Sequence, residues 1–356
     1  MSFTKKWIRD DILSIDAYHV PNSDNFLKLD AMESPFVPNQ DFQNEFTDLL
    51  SKVEINRYPD PKADEVVQSL RNLMEIDKSL EVLLGNGSDE LIQILAMACD
   101  DGDSIMSFSP SFVMYEMIAK FARLNYIDSP LSDFDIDLEE TINLIKIQNP
   151  KIIFIAYPNN PTGNLFTREK IETIIQSTNA LVVLDEAYYA YAEDTFLNDI
   201  SKYENLVILR TISKIGFAGV RLGLLIGPKE IVRELNKIRL PYNINSLTQA
   251  ICKFLLNKKD YLQSQADLIV NERKALIKGL KKYKNITVFP SQANFVLIKT
   301  LDSQELFNFL LDKRILIKNL SKMKGLDNCL RITIGSPIEN ETILSALDNF
   351  YFLKKL

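Results

Sequence analysis

Six short apolar runs, at residues 80–85, 104–108, 151–157, 180–185, 206–210 and 222–227, are rich in Val, Ile, Leu and Phe and barely interrupted by polar residues. A strand with one wet face alternates polar and apolar positions, so runs this continuous, bounded by turn residues, belong to a sheet covered on both faces. Amphipathic stretches at 88–99, 138–147 and 167–177 lie between them. That rhythm predicts an α/β core with a mostly parallel sheet. A different rhythm starts near Pro228, where helical patterns at 229–239, 246–256 and 261–283 follow one another. Short strands at 286–289, 293–299 and 330–334 are then mixed with helices at 303–313 and 339–352, which predicts a smaller α+β domain. Residues 1–53 are rich in Pro, Asn and Asp and weakly periodic, and are expected to pack as an arm over other elements.

Charge and rare residues narrow the chemistry. The chain carries 41 basic against 48 acidic side chains in 356 residues, a net charge of −7. This balance argues against a dedicated nucleic-acid binder, which needs a basic face, yet leaves room for small anions in a locally positive pocket. The single histidine, His19, is expected on the surface or in a loop, and it denies the chain any mechanism built on several imidazoles. Cys99, Cys252 and Cys329 lie far apart with no CxxC pair, so neither a zinc site nor a redox dithiol is expected. They read as small buried hydrophobes in a reducing compartment. Lys5, Lys6 and Arg9 are followed by no apolar core of a signal peptide, and no run of about 18 apolar residues occurs, so the expected location is the cytoplasm.

The most informative segment is Arg210-Thr211-Ile212-Ser213-Lys214-Ile215-Gly216-Phe217-Ala218-Gly219-Val220-Arg221-Leu222-Gly223. Hydroxyls and a guanidinium can surround a phosphate, and a lysine held among cations and apolar walls has a lowered pKa and can form a Schiff base. Alone, a Ser-Lys after a strand is equally a turn with a solvated lysine. Upstream, an apolar run ends in Asp185-Glu186-Ala187-Tyr188, which sets an acid at the carboxyl end of a buried strand, where open α/β sheets bind their ligands. Such an acid either meets a cation, for example a pyridinium nitrogen, or caps the next helix. Pro158-Asn159-Asn160-Pro161-Thr162-Gly163 is a rigid turn whose Asn160 can donate to a phenolate oxygen. Asn86-Gly87-Ser88-Asp89-Glu90 opens a helix, so free amides face a phosphate at Ser88 and Asp89, or Ser88 is a plain N-cap. Phe112, just past another strand end, either stacks on a flat ring or joins the core.

Asn86-Gly87-Ser88-Asp89-Glu90, Asn159-Asn160-Pro161-Thr162-Gly163, Asp185-Glu186-Ala187-Tyr188 and Ser213-Lys214 followed by Ala218-Gly219-Val220-Arg221, in this order along the chain, resemble the motifs of the fold-type I pyridoxal-phosphate aminotransferases, and most closely those of the histidinol-phosphate aminotransferase family. The narrower resemblance extends to Ala17-Tyr18, to residues 28–35, to Arg57-Tyr58-Pro59-Asp60-Pro61, to Ser291-Gln292-Ala293-Asn294-Phe295 and to residues 330–335, so that essentially the whole chain is covered. It implies a large pyridoxal-phosphate domain over 54–250, with a mostly parallel seven-stranded sheet between helices. It also implies a small domain over 251–356, joined by part of 1–53. Lys214 would hold the cofactor, Asp185 its ring nitrogen, and Asn160 with Tyr188 its ring oxygen. Phe112 would stack on the ring, where the family more often has tyrosine or tryptophan. Ser88, Asp89, Thr211, Ser213 and Arg221 would hold the phosphate, and Tyr58 would reach the phosphate of a neighbouring subunit, which implies a homodimer. Arg331 would clamp a substrate carboxylate bidentately.

There are departures. The loop from Lys214 to Arg221 is one residue shorter than in many relatives. Ser34 replaces the usual asparagine. Lys318, after Ile315-Leu316-Ile317, stands where the family commonly has an arginine for the substrate phosphate; it keeps the charge and loses the fork. Tyr18 remains as a second phosphate donor, and Asn294 is carried over as a substrate contact. The expected activity is transamination between histidinol phosphate and 2-oxoglutarate. The alternatives are an aromatic amino-acid aminotransferase and a threonine-phosphate decarboxylase, with no metal in any of them.

Overall fold

The computed structural model describes residues 3–17 and 22–354. Eight strands form the large sheet, in the order Leu80–Asn86, Leu222–Pro228, Leu206–Thr211, Leu181–Asp185, Ile152–Ala156, Ser104–Ser109, Asn125–Ser132 and Asp135–Ile136. The four central pairings are parallel, and the three others, two at one edge and one at the far edge, are antiparallel. Every residue of Ile152–Ala156 and Leu206–Thr211 is buried, which is what continuous apolar runs require.

Seven strands were expected and eight are present. The eighth is the two-residue Asp135–Ile136, folded back on Asn125–Ser132 through Asp133 and Phe134, both at positive φ. Asn125–Ser132 itself escapes the apolar-run criterion because it is only partly buried and carries Asn125, Asp128, Ser129, Pro130 and Ser132, residues a strand near a sheet edge tolerates.

A second core lies under a four-stranded antiparallel sheet of Thr287–Val288, Phe295–Lys299, Cys329–Thr333 and Lys318–Asn319, covered by the helices Lys259–Leu280, Ser303–Asp312 and Pro337–Leu353. The last helix starts with a capping box between Ser336 and Glu339, with Pro337 in its first turn. The N-terminal segment is stitched into this unit. Leu27–Lys28 pairs in parallel with Ile315–Leu316, and the Leu29 carbonyl accepts from the Thr333 amide at 2.9 Å. Further along, Gln40–Ser51 turns Phe42 into the large core, against Phe254 and Tyr261. The chain therefore passes from one core to the other across the face where the strand ends lie. Among the described residues no helix is long and apolar enough to cross a membrane, and no group of acids, cysteines or histidines could hold a metal.

Candidate active site

Strands Ile152–Ala156, Leu181–Asp185 and Leu206–Thr211 run parallel, so their carboxyl ends reach one edge of the sheet, where open α/β sheets place ligands. A cleft of about 580 Å³ opens there. Ser88, Asp89, Phe112, Asn160, Asp185, Tyr188, Thr211, Ser213, Lys214 and Arg221, expected around a cofactor from their motifs, all line it. Met32, Tyr115, Ala156, Pro158 and Ala187 line it too. A wider cleft of about 950 Å³ has Asp60, Lys62, Asp64 and Lys229 in its wall, all exposed. Buried charge gathers only in the narrower one.

One end of this cleft is built for an anion. Helix Ser88–Met97 starts after Gly87, at φ +81°, which has no side chain to cap the first amides. A Cβ on Gly87 would lie 2.5 Å from Arg221 Nη2, and one on Gly223 would lie 2.5 Å from the Ser88 nitrogen. Two glycines thus allow a guanidinium and a helix N-terminus to meet, a combination that favours phosphate. Thr211 Oγ1 lies 2.9 Å from Ser213 Oγ and accepts from the Ser213 amide at 3.0 Å, which fixes both hydroxyls beside it.

The opposite charges sit deeper. Asp185 is 5% exposed; its Oδ2 accepts from the Tyr115 hydroxyl at 2.8 Å and its Oδ1 from the Ala187 amide at 3.1 Å. Burial nevertheless raises its carboxyl from 3.8 to about 6, with Asp89 adding to the rise. A cation over it would reverse that shift. Its neighbour Glu186 points to the other face of the chain, where it pairs with Arg210 at 2.7 Å. Lys214 lies in the turn Ser213–Ile215, its Nζ 3.4 Å from the Ala31 carbonyl and 5.9 Å from the centroid of the Tyr188 ring. Burial, and next the Arg331 charge, lower its pKa from 10.5 to about 8, with Arg221 helping and Glu33 and Asp89 opposing.

Arg331 stands behind the third side and does not line the cleft itself: its Nη1 donates to the lining residue Asn160, at Oδ1, over 2.6 Å, and its Nη2 to the Asp30 carbonyl at 2.9 Å. Lys318 is the direct cross-strand partner of Arg331, so the two leave the small sheet on the same face, although Lys318 does not line the cleft. Asn294 does not line it either. It is fully buried, its Nδ2 committed to the Met32 carbonyl at 2.9 Å, so it holds the segment that forms the cleft wall. Tyr58 is 81% exposed and stacks on Tyr242 at 4.5 Å, outside the cleft of its own chain. Tyr18 and His19 lie outside the described residues.

Sequence reasoning missed Tyr115, Met32 and Tyr191. Tyr115 lies three residues beyond Phe112 in the turn that starts the next helix, and that spacing was the available signal. Tyr191 donates its hydroxyl to the Lys214 carbonyl, a contact across 23 residues with no local signature.

The cleft has three handles: a two-glycine anion cradle, a buried acid whose raised pKa calls for a cation, and an amine near pKa 8. Pyridoxal phosphate has the matching phosphate, ring nitrogen and aldehyde, so the residues present fit that cofactor.

Comparison with known proteins agrees. The family model for aminotransferase class I and II matches residues 24–348. The histidinol-phosphate aminotransferase of Vesicomyosocius okutanii subsp. Calyptogena okutanii is 54% identical over 354 residues, 99% of this chain and all of that protein. The fold is similar to the crystal structure of the histidinol-phosphate aminotransferase from Clostridium acetobutylicum, with TM-score 0.83, 27% identity and coverage of 91% of this chain and 98% of that one. It is also similar to that from Sinorhizobium meliloti in complex with pyridoxal-5'-phosphate, with TM-score 0.85, 21% identity and 96% of each chain covered. The chain belongs to the class I and II aminotransferases, enzymes that depend on pyridoxal phosphate, and within them to the histidinol-phosphate aminotransferase family.

Proposed function

We propose that the chain transfers an amino group between histidinol phosphate and 2-oxoglutarate, in histidine biosynthesis and in the cytoplasm. The observation that carries this reading is the convergence of the Lys214 amine, the Asp185 carboxyl and the Asn160 carboxamide, backed by Arg331, on one cleft. Identity of 54% to a relative of that name supports the substrate.

When bound, the cofactor supplies an electron sink for the carbon that loses its proton. Lys214 would hold it through Nζ, and the same amine, when free, would take the proton from the substrate carbon as general base; a pKa near 8 keeps part of the amine neutral at physiological pH. Asp185 keeps the ring nitrogen protonated. Asn160 and Tyr188 hold the ring oxygen, and Phe112 covers one ring face. Arg221, Thr211, Ser213 and the amides of Ser88 and Asp89 hold the cofactor phosphate. Arg331, with Asn160, takes the carboxylate of glutamate, while Lys318 and Tyr18 take the phosphate of the other substrate. Asn294 acts through the Met32 segment.

Purified protein should be yellow, and borohydride should fix the cofactor to Lys214; a colourless protein with no fixation would end this reading. Steady-state rates with histidinol phosphate, phenylalanine and threonine phosphate should favour the first. Release of carbon dioxide from threonine phosphate would put a decarboxylase in its place. Because a hydrogen bond to a charged group is worth roughly 1.5–3 kcal/mol, Lys318→Ala should cost about 10- to 100-fold in kcat/KM with histidinol phosphate and leave phenylalanine almost unaffected. An equal loss on both substrates would remove Lys318 from the phosphate site.

The active form is read as a homodimer in which Tyr58 serves the neighbouring site. Its exposure is the supporting observation. Tyr58→Phe alone should weaken cofactor binding about tenfold. Mixing it with Lys214→Ala chains should restore one intact site per heterodimer, since the lysine comes from one chain and the tyrosine from the other. Failure to restore binding in confirmed heterodimers would place Tyr58 outside the neighbour's site.

A further inference from the structure

The anion cradle depends on how the turn 86–88 is held, and the hold comes from outside the cleft. Glu90, in the first turn of helix Ser88–Met97, folds back so that its Oε2 accepts from the Asn86 amide at 2.5 Å. The same oxygen accepts from Asn243 Nδ2 at 2.9 Å. Asn243 Nδ2 also donates to the Leu84 carbonyl at 3.1 Å, in the strand that leads into the turn, and Asn243 Oδ1 accepts from Arg239 Nη1 at 2.8 Å. The amide is therefore committed at both ends. Its donors meet two acceptors and its acceptor meets a guanidinium, so only one orientation of the carboxamide fits. Asn243 follows Tyr242, which is held at φ +59° and stacks on Tyr58. Neither Glu90 nor Asn243 lines the cleft.

We propose that Asn243, acting through Glu90, is a positioning residue for the cofactor phosphate: it ties the strand Leu80–Asn86, at Leu84, to Glu90 in the first turn of the helix Ser88–Met97, and so fixes where the amides after Gly87 point. The proposal rests on the reading that this turn holds the phosphate. A turn anchored only by its own glycines would sample several orientations, because Gly87 has no side chain to restrict it. A preorganised donor array loses less freedom on binding than a mobile one. The bracing acts on phosphate and leaves the ring and the aldehyde untouched, since Asp185 and Lys214 are carried by other strands.

The test compares two ligands in full-length protein. Asn243→Leu keeps the volume and removes the amide, and Asn243→Ala controls for packing of the leucine. Dissociation constants are measured for pyridoxal phosphate and for unphosphorylated pyridoxal, by absorbance of the lysine-bound cofactor. Both variants should bind pyridoxal phosphate about 5- to 10-fold more weakly, with the pyridoxal constant changed less than twofold. Equal weakening of both ligands would reduce Asn243 to general support of the fold, and no weakening of either would remove it from the site; both outcomes overturn the proposal. Failure of the unaltered protein to bind pyridoxal phosphate would instead count against the function proposed above.

Discussion

Replacement of Lys214 by alanine should reduce transamination by roughly 10⁶-fold, the scale seen when an enzyme loses a group acting as both nucleophile and base. Among the described residues no other lysine lines the cleft. The chain's one histidine is His19, far from this motif in sequence, and Arg221, the other cation lining the cleft, carries a guanidinium and no amine that could form the covalent link. The effect should be specific to the amine. The Lys214 side chain makes one long hydrogen bond, to the Ala31 carbonyl, and the main-chain contact with Tyr191 survives the substitution, so the variant should fold and keep its phosphate cradle. The pH dependence follows from the same geometry. With the folded-state pKa lowered from 10.5 to about 8, the neutral amine becomes the main form as pH rises through 8. Cofactor capture by the empty protein, followed by absorbance, should therefore speed up between about pH 7 and 9 and then level off. A rate still climbing steeply at pH 10 would mean the amine is solvated and the burial argument fails.

The sequence was most legible where physics is local. Continuous apolar runs located six of the eight strands, since burial on both faces leaves few polar positions, and Ser246–Leu256 matched at both ends, its start fixed by the Asn245 cap. Asn125–Ser132 was lost because a strand near an edge carries polar residues, and the helix Met114–Phe121 because it is only two turns long. At the site, glycines and charged residues at strand ends were visible as motifs. The role of Gly223 was not, because the steric reason for it, contact with the Ser88 nitrogen, joins residues 135 positions apart. Asn294 illustrates the converse. Its place in a familiar segment suggested substrate, whereas its amide is taken by a main-chain carbonyl 262 residues away.

Asp185→Asn should have opposite effects on the empty chain and on the working enzyme. In the empty chain the carboxyl is buried with two hydrogen-bond donors and no cation in contact, Lys214 acting on it only weakly from a distance, and its pKa stands near 6 instead of 3.8. A raised folded-state pKa means that the native state binds more protons than the unfolded one between those values. The stabilising contribution of the protonated group is full below about pH 4 and is lost as pH rises through about 6. At pH 7.5 the charged form therefore burdens the empty fold by on the order of 1–3 kcal/mol. Asparagine carries no charge and still accepts from Tyr115, so the cofactor-free variant should melt higher than the parent at pH 7.5 and match it near pH 4. The enzyme should respond the other way. With no anion under the ring nitrogen, a buried pair loses one partner, worth about 3–5 kcal/mol, which corresponds to roughly 10²- to 10⁴-fold in rate. Cofactor should raise the melting temperature of the parent strongly and that of the variant weakly, because only the parent has a buried charge to neutralise. If asparagine destabilises the empty chain at both pH values, the carboxylate is at ease in its pocket and the case for a cation above it collapses.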